Sequence, residues 1–308
     1  VKGRVGTYGS HQHLDFKISY IPGTNEVVAM LGATDDKTNE FELYSMQKRT
    51  QVQHFLRQLK VDLRNKGGRL AHLITDNDSV TISQSFREFL LEDPEQLLSM
   101  ELCPPHHHEY NGRAESRWAI CVPIVSKSLA QLALVIGKDA AVKFWSEAYL
   151  NAKDIINRRH FKRHGSSEYE KSPIEQRTGV APDLSVMFPF GARVSVTDHY
   201  KGAHSLAGRE GVVLNMAPRH AEGVYNVLML DTRRIVQTMD ITLTPEDGQQ
   251  QLEFTEMDTP EFQFDFVSYQ LDDADPNLPR LPSDVLVSEI DSGVDSPVIP
   301  ETREEEPY

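Results

Sequence analysis

At 308 residues, with 39% hydrophobic and 25% charged residues, the chain has a globular composition and room for one large or two small domains, which excludes a fibrous or wholly disordered polymer. Its net charge of −14 is unevenly placed: residues 245–308 hold 18 acidic and 2 basic residues, so residues 1–244 carry 30 Lys and Arg against 28 Asp and Glu, a net of +2. Two cysteines, Cys103 and Cys121, exclude a disulfide framework and suit a reducing compartment; no apolar run reaches the length of a membrane span, and the opening on Val1 without a legible signal peptide suits a polyprotein fragment.

The first predicted element is a strand in which Leu14, Phe16, Ile18 and Tyr20 alternate with Asp15, Lys17 and Ser19, the period of a strand with one buried face. Pro22-Gly23-Thr24-Asn25 is a turn, Val27 to Leu31 a second strand, and Phe41 to Tyr44 a third, together an antiparallel meander. A helix follows, with Thr50 as N-cap, Gln53 completing a capping box, and Val52, Phe55, Leu56, Leu59 and Leu63 on one face up to Gly67-Gly68. Leu70 to Thr75 is a short strand that runs into Asp76, Ser83 to Leu91 a helix, and Ser99 to Cys103 a fifth strand ended by Pro104-Pro105. Arg113 to Leu129 then has helical spacing, with Pro123 expected to kink it, and Ala140 to Asn157 forms a clearer helix. The order β-β-β-α-β-α-β-α is that of an RNase H-like α/β fold over residues 1–165. After a linker over 166–186, short β-rich runs over 187–244 suggest a small barrel. The acidic, proline-containing stretch 245–308 reads as a disordered tail.

Three carboxylates stand where chemistry is commonly placed: Asp15 in mid-strand, Asp76 at a strand exit and Glu115 in the first turn of a helix. Hard oxygen donors grouped in this way suit Mg²⁺ or Mn²⁺. Two such ions serve in-line phosphoryl displacement. Asp at a strand end and Glu in a first helical turn are also ordinary capping choices, so spacing alone leaves both readings open. His106-His107-His108-Glu109 has no cysteine pair at ligand spacing, so it reads as a solvated loop rather than a zinc site. Arg158, Arg159, Lys162 and Arg163 form the most basic stretch, a candidate contact for phosphate. Trp118, Trp145, Cys103 and Cys121 read as core.

Flanking residues sharpen the carboxylate reading. His13-Leu14-Asp15-Phe16 with Thr34-Asp35-Asp36-Lys37, then Leu73-Ile74-Thr75-Asp76-Asn77-Asp78, then Asn111-Gly112-Arg113-Ala114-Glu115 resemble, in order, the signatures of integrase cores of copia-type long-terminal-repeat retrotransposons. Phe144 to Ala148 and Ile155 to Arg158 resemble that family's post-catalytic helix. Ser172 to Glu175, Thr178-Gly179, Ala181 to Leu184 and Phe190-Gly191 resemble the segment leading into its SH3-like domain. The resemblance covers residues 12–244. It implies a polynucleotidyl transferase that trims cDNA ends and joins them to target DNA. Asp15, Asp76 and Glu115 would be the catalytic and metal-binding triad, with two Mg²⁺ or Mn²⁺ ions and no zinc site. The basic residues near the site, Arg113 and Arg117, join the candidate DNA contacts. The implied partners are double-stranded DNA and further copies of the chain, with no membrane, and the implied location is the nucleus after a cytoplasmic particle stage. The chain departs from the family at Asp78, usually glycine, at Ser116, usually basic, and at Pro123. Two other functions compete: a non-catalytic nucleic-acid-binding relic, and an RNase H-like nuclease acting on hybrids.

Overall fold

The chain alternates hydrophobic and polar residues early, and that alternation builds one mixed sheet. The computed structural model describes residues 6–76, 83–91, 98–103, 111–162, 169–197 and 208–244, all within one compact unit, Val1–Ser268. The expected His106-to-Glu109 loop and the expected disordered tail lie outside these residues, as do Asp78 and Arg163.

Strands β1 (His11–Ile18), β2 (Ala29–Asp35) and β3 (Phe41–Met46) form the expected antiparallel meander. Strands β4 (His72–Thr75) and β5 (Ser99–Leu102) add in parallel on the other side of β1, giving the order β3-β2-β1-β4-β5. Helix α1 (Val52–Asn65) buries Val52, Leu56, Leu59 and Leu63 against the face that carries Leu14, Leu31 and Leu73. The second strand begins at Ala29 rather than Val27, because Val27 closes a 3-10 turn at Thr24–Glu26. The expected capping box at Thr50 and Gln53 does not form. A 3-10 turn, Arg49–Gln51, precedes α1, and the Gln51 side chain instead accepts from the amides of Gln47 and Lys48. Gly67 ends the helix with φ +78°, and the Gly68 amide donates back to the Leu63 carbonyl at 2.7 Å.

Helix α2 (Gln84–Leu91) precedes β5, and helix α3 (Gly112–Ile136) crosses the opposite face of the sheet. The helix runs unbroken through Pro123, which is exposed, so the expected kink does not divide it. By length and composition α3 is apolar enough to cross a membrane, although charged and polar residues interrupt its apolar runs. It buries Trp118, Cys121, Val125, Leu129 and Leu132 in the protein core, and we read it as a core helix. The helix expected over Ala140 to Asn157 is instead α4 (Lys138–Ala141), a 3-10 turn (Val142–Phe144) and α5 (Trp145–Arg158).

Close docking of α3 depends on one residue with no side chain. Gly32 on β2 lies opposite Asp15, and a Cβ there would stand 2.7 Å from Trp118 and 2.9 Å from Phe41. Asn157 of α5 covers the exposed edge of the sheet: its amide donates to the Phe41 carbonyl at 2.7 Å and accepts from the Phe41 amide at 2.8 Å.

Beyond the two-stranded ribbon β6 (Phe161–Lys162) and β7 (Tyr169–Glu170), helix α6 (Pro173–Thr178) lies inside the expected linker. It has a complete set of terminal signals: Ser172 Oγ accepts from the Glu175 amide, Pro173 opens the first turn, and Gly179 closes it at φ +77°. A second, antiparallel sheet follows, with strands β8 (Arg193–Val196), β9 (Arg209–Met216), β10 (Tyr225–Met229), β11 (Ile235–Thr238) and β12 (Ile241–Leu243) in the order β11-β10-β9-β8-β12. One of its faces has its own core of Val194, Val213, Tyr225 and Val227. Val212, Leu214 and Leu228 instead join the cluster built on α3 and α5, so the second sheet shares apolar packing with the first region.

Candidate carboxylate site

The parallel register of β1 and β4 pairs His11 with His72 and Leu14 with Thr75. One step further along both strands places Asp15 beside Asp76 on the same face, at the spacing of adjacent strands. The next strand continues the row: the Cys103 amide donates to the Thr75 carbonyl at 2.9 Å, and Asp76 is among the groups that push the Cys103 thiol up to about 12, after burial, the larger cause. Glu115 enters from above, in the first turn of α3.

The electrostatics put the three carboxylates in one neighbourhood. Burial is the main reason that Asp15 is pushed up to about 6. Asp76 and Glu115 raise it further, while Lys17 and the Phe16 amide oppose the shift. The Phe16 amide donates to Asp15 Oδ1 at 2.7 Å, and Lys17 Nζ lies 3.6 Å from Oδ2. Lys17 is itself 5.9 Å from the centre of the Trp118 ring, over which its charge is favourably placed.

The donor chemistry fits a hard divalent cation: Asp15, Asp76 and Glu115 are hard oxygen donors that influence one another, although burial is the main cause of the raised Asp15. Among the described residues, however, no three His, Cys, Asp or Glu side chains are already arranged as a metal-holding group. The cation nearest Asp15 in this arrangement is the Lys17 ammonium.

The start of α3 is tied to β1 by Asn111. This N-cap residue is fully buried, and its side chain makes no capping bond; the amide donates to the Leu14 carbonyl at 2.9 Å. Its Oδ1 is buried without a hydrogen-bond partner, as is Nδ1 of the neighbouring His13, whose other ring nitrogen lies 3.2 Å from Asp36 Oδ1. Burial, the largest cause, holds the His13 pKa below its usual value against the pull of Asp36. Asp35, the first acid of the Thr34-Asp35-Asp36 run, is structural: it accepts from the amides of Gly9 (2.7 Å) and Thr38 (2.8 Å), Gln12 Nε2 (3.1 Å) and Thr38 Oγ1 (2.8 Å).

The candidate DNA contacts separate. Arg113 is engaged at the β2–β3 turn, with Nε 2.7 Å from Asp36 Oδ1 and Nη1 donating to the Asp36 carbonyl (2.9 Å) and Asn39 Oδ1 (3.1 Å). Arg117 is buried, its guanidinium 5.7 Å from the Phe161 ring centre. Arg158 bridges Asp154 (3.7 Å) and Glu222 (3.0 Å). Arg159 is exposed, and the Lys162 side chain and Arg163 lie outside the described residues. Sequence reasoning missed Lys17, Asn111, His13 and Asp36 as neighbours of the site. The alternation Leu14-Asp15-Phe16-Lys17 turns Asp15 and Lys17 to one face, and His13, Asp36 and Asn111 stand inside the quoted signatures with no role of their own assigned there.

No family model and no curated protein matches the chain. Among solved structures, a chain of the simian T-cell lymphotropic virus intasome, in a cryo-EM complex with PP2A regulatory subunit B56 gamma, is similar over 78% of this chain and 80% of its own, at 13% identity and a TM-score of 0.42.

Proposed function

We propose that the chain is the catalytic core of a copia-type retrotransposon integrase, which trims cDNA ends and joins them to target DNA. The observation that carries the reading is the parallel register of β1 with β4, which sets Asp15, in the middle of β1, beside Asp76 at the exit of β4, with Glu115 in the first turn of α3 among the groups that raise Asp15. On this reading the five-stranded sheet over 1–165 is RNase H-like, 166–186 is a linker, the second sheet over 187–244 closes as an SH3-like barrel, and 245–308 is an acidic tail. Asp15, Asp76 and Glu115 would hold two Mg²⁺ or Mn²⁺ ions. When bound, these supply Lewis acidity where charge develops on the attacking and leaving oxygens.

The chain's own part is positioning. Asn111 holds the helix that carries Glu115 against β1, and Lys17 partly compensates the charge of Asp15. The basic stretch of Arg159, Lys162 and Arg163 is the one assigned to double-stranded DNA; Arg113, Arg117 and Arg158 keep a DNA role only if their present partners exchange for phosphate. Oligomers of the chain acting in the nucleus complete the proposal.

A second reading, a nucleic-acid-binding relic without activity, draws on the Lys17 ammonium beside Asp15 and the lack of a ready-made three-donor group among the described residues. A strand-joining assay with labelled duplex ends and Mg²⁺ or Mn²⁺ separates the two. The integrase reading expects joined product that falls at least about a hundredfold in Asp15→Asn, Asp76→Asn and Glu115→Gln, because each removes charge used in the transition state. Binding without joining by the unaltered chain selects the relic. Cleavage of an RNA–DNA hybrid without joining selects a nuclease.

A further inference from the structure

The best N-cap residues accept a hydrogen bond from the first turn of their helix. Asn111 does not. It is 0% exposed, and its side chain is spent on the Leu14 carbonyl, the peptide oxygen directly before Asp15. Four residues later on α3 stands Glu115, whose amide donates to the Asn111 carbonyl at 3.2 Å. Asn111 therefore bonds through its side chain to the strand bearing one carboxylate, and through its backbone to the helical turn bearing another.

The other side of that turn is held as well. Arg113 grips Asp36 through its side-chain oxygen and its carbonyl, and the Asp36 amide donates to the His11 carbonyl of β1 at 3.0 Å. His13 is held to the same acid, its Nε2 3.2 Å from Asp36 Oδ1. A buried amide oxygen and a buried ring nitrogen without partners cost stability, on general grounds, unless something else requires their placement.

We infer that Asn111 is a positioning residue that sets the spacing of Glu115 from Asp15, with the Arg113–Asp36 pair as its counter-tie. The inference rests on the carboxylate-site reading above and concerns geometry, since Asn111 itself touches no reacting atom. Helix capping alone would not select this arrangement, because serine caps a helix equally well and cannot reach Leu14.

Mn²⁺ binding to the full chain, followed by water-proton relaxation, tests it alongside far-UV circular dichroism and thermal melting. Asp15→Asn should abolish the high-affinity Mn²⁺ uptake. Asn111→Ala and Asn111→Ser should each weaken it about tenfold or more at a temperature where both variants are fully folded. The serine variant retains a good cap, so its loss of affinity reports lost positioning rather than a frayed helix. Wild-type affinity in the folded serine variant, with uptake still abolished by Asp15→Asn, overturns the positioning role and leaves the metal site standing. No Mn²⁺ uptake by the unaltered chain, or uptake indifferent to Asp15→Asn, removes the metal site and the positioning role together.

Discussion

Two regions of the same sheet bury carboxylates, and they handle the charge in opposite ways. At the edge, Glu40 and Glu42 of the β3 region face Lys66 of the α1 C-terminus. Lys66 lies 2.9 Å from Glu40 and also pairs with Glu42, Lys153 lies 3.9 Å from Glu42, and Arg177 of α6 lies 2.6 Å from Glu40. Burial works against ionising Glu42, yet Lys153 and Lys66 outweigh it and hold its carboxyl below the usual range. In the centre, Asp15 shares its neighbourhood with two more acids, has Lys17 as its nearest cation, and is pushed up to about 6. Balanced charge binds elements together; a buried acid with other acids beside it costs stability. Burial raises Asp35 as well, a structural acid held by four hydrogen bonds; Asp15 differs from it in having the two further acids Asp76 and Glu115 beside it.

Substitutions that break the balanced cluster should have the largest effect. Glu42→Gln removes the acid shared by Lys66 and Lys153, and breaking a buried pair on one side typically costs about 3–5 kcal/mol. Chemical denaturation should show a loss in that range, and a loss below about 1 kcal/mol would mean that water screens the cluster. Next comes Gly32→Ala, whose methyl would press on Trp118 and Phe41 beneath α3. Overpacking should cost about 1–3 kcal/mol. Because α3 carries Glu115, Mn²⁺ affinity should fall with it; unchanged affinity and stability would show that α3 shifts freely.

Asp15→Asn sharpens the contrast by reversing the sign. An acid whose folded pKa lies near 6, above its ordinary value near 4, binds its proton more tightly in the folded state. Its contribution therefore favours the fold below pH 4 and is lost as pH rises from about 4 to 6. The metal-free Asn variant should be more stable than the parent at pH 7, by up to about 2 kcal/mol after the lost Lys17 pairing is counted. Its stability should lack the decline between pH 4 and 6. In the unaltered chain, Mn²⁺ affinity should climb through pH 6 as Asp15 gives up its proton. A pH-independent affinity would place the cation elsewhere. The smallest effect is expected at Pro123, exposed on α3 outside both clusters. Pro123→Ala restores one helical hydrogen bond and should raise the melting temperature, by the equivalent of about 1 kcal/mol or more.

The elements legible in the sequence are those whose signals are local. The alternation around Asp15 placed β1, the 3.6-residue stripe from Val52 to Leu63 placed α1, and Ser172, Pro173 and Gly179 delimit α6 even inside a stretch read as linker. Local signals also failed where a neighbour competed for the same group. Thr50 and Gln53 spelled a capping box, but a 3-10 turn capped by Gln51 took the position. Helix α5 illustrates the limit most directly: Ser146, Glu147, Asn151, Asp154 and Asn157 make up what periodicity reads as a solvent face, and all five are buried. Asn157 pairs with the edge of β3 and Glu147 accepts from Thr24, contacts that no pattern within α5 encodes, while Asp154 pairs with Lys153 and Arg158 of its own helix.

The sequence by itself determined the alternation that turns Asp15 and Lys17 to one face, the strand exit at Asp76, the helical start at Glu115 and the split of charge at residue 245. Tertiary structure decided which of these groups meet. The parallel register of β1 with β4 brought Asp15 beside Asp76, and Asn111 reached across 97 residues to the Leu14 carbonyl. The basic residues Arg113 and Arg158 likewise found their partners in this arrangement on acids 77 and 64 residues away. Periodicity is a property of neighbours along the chain, set by backbone geometry. Coulombic and hydrogen-bonding partners are chosen by distance in space, and only the packed sheet supplies that distance.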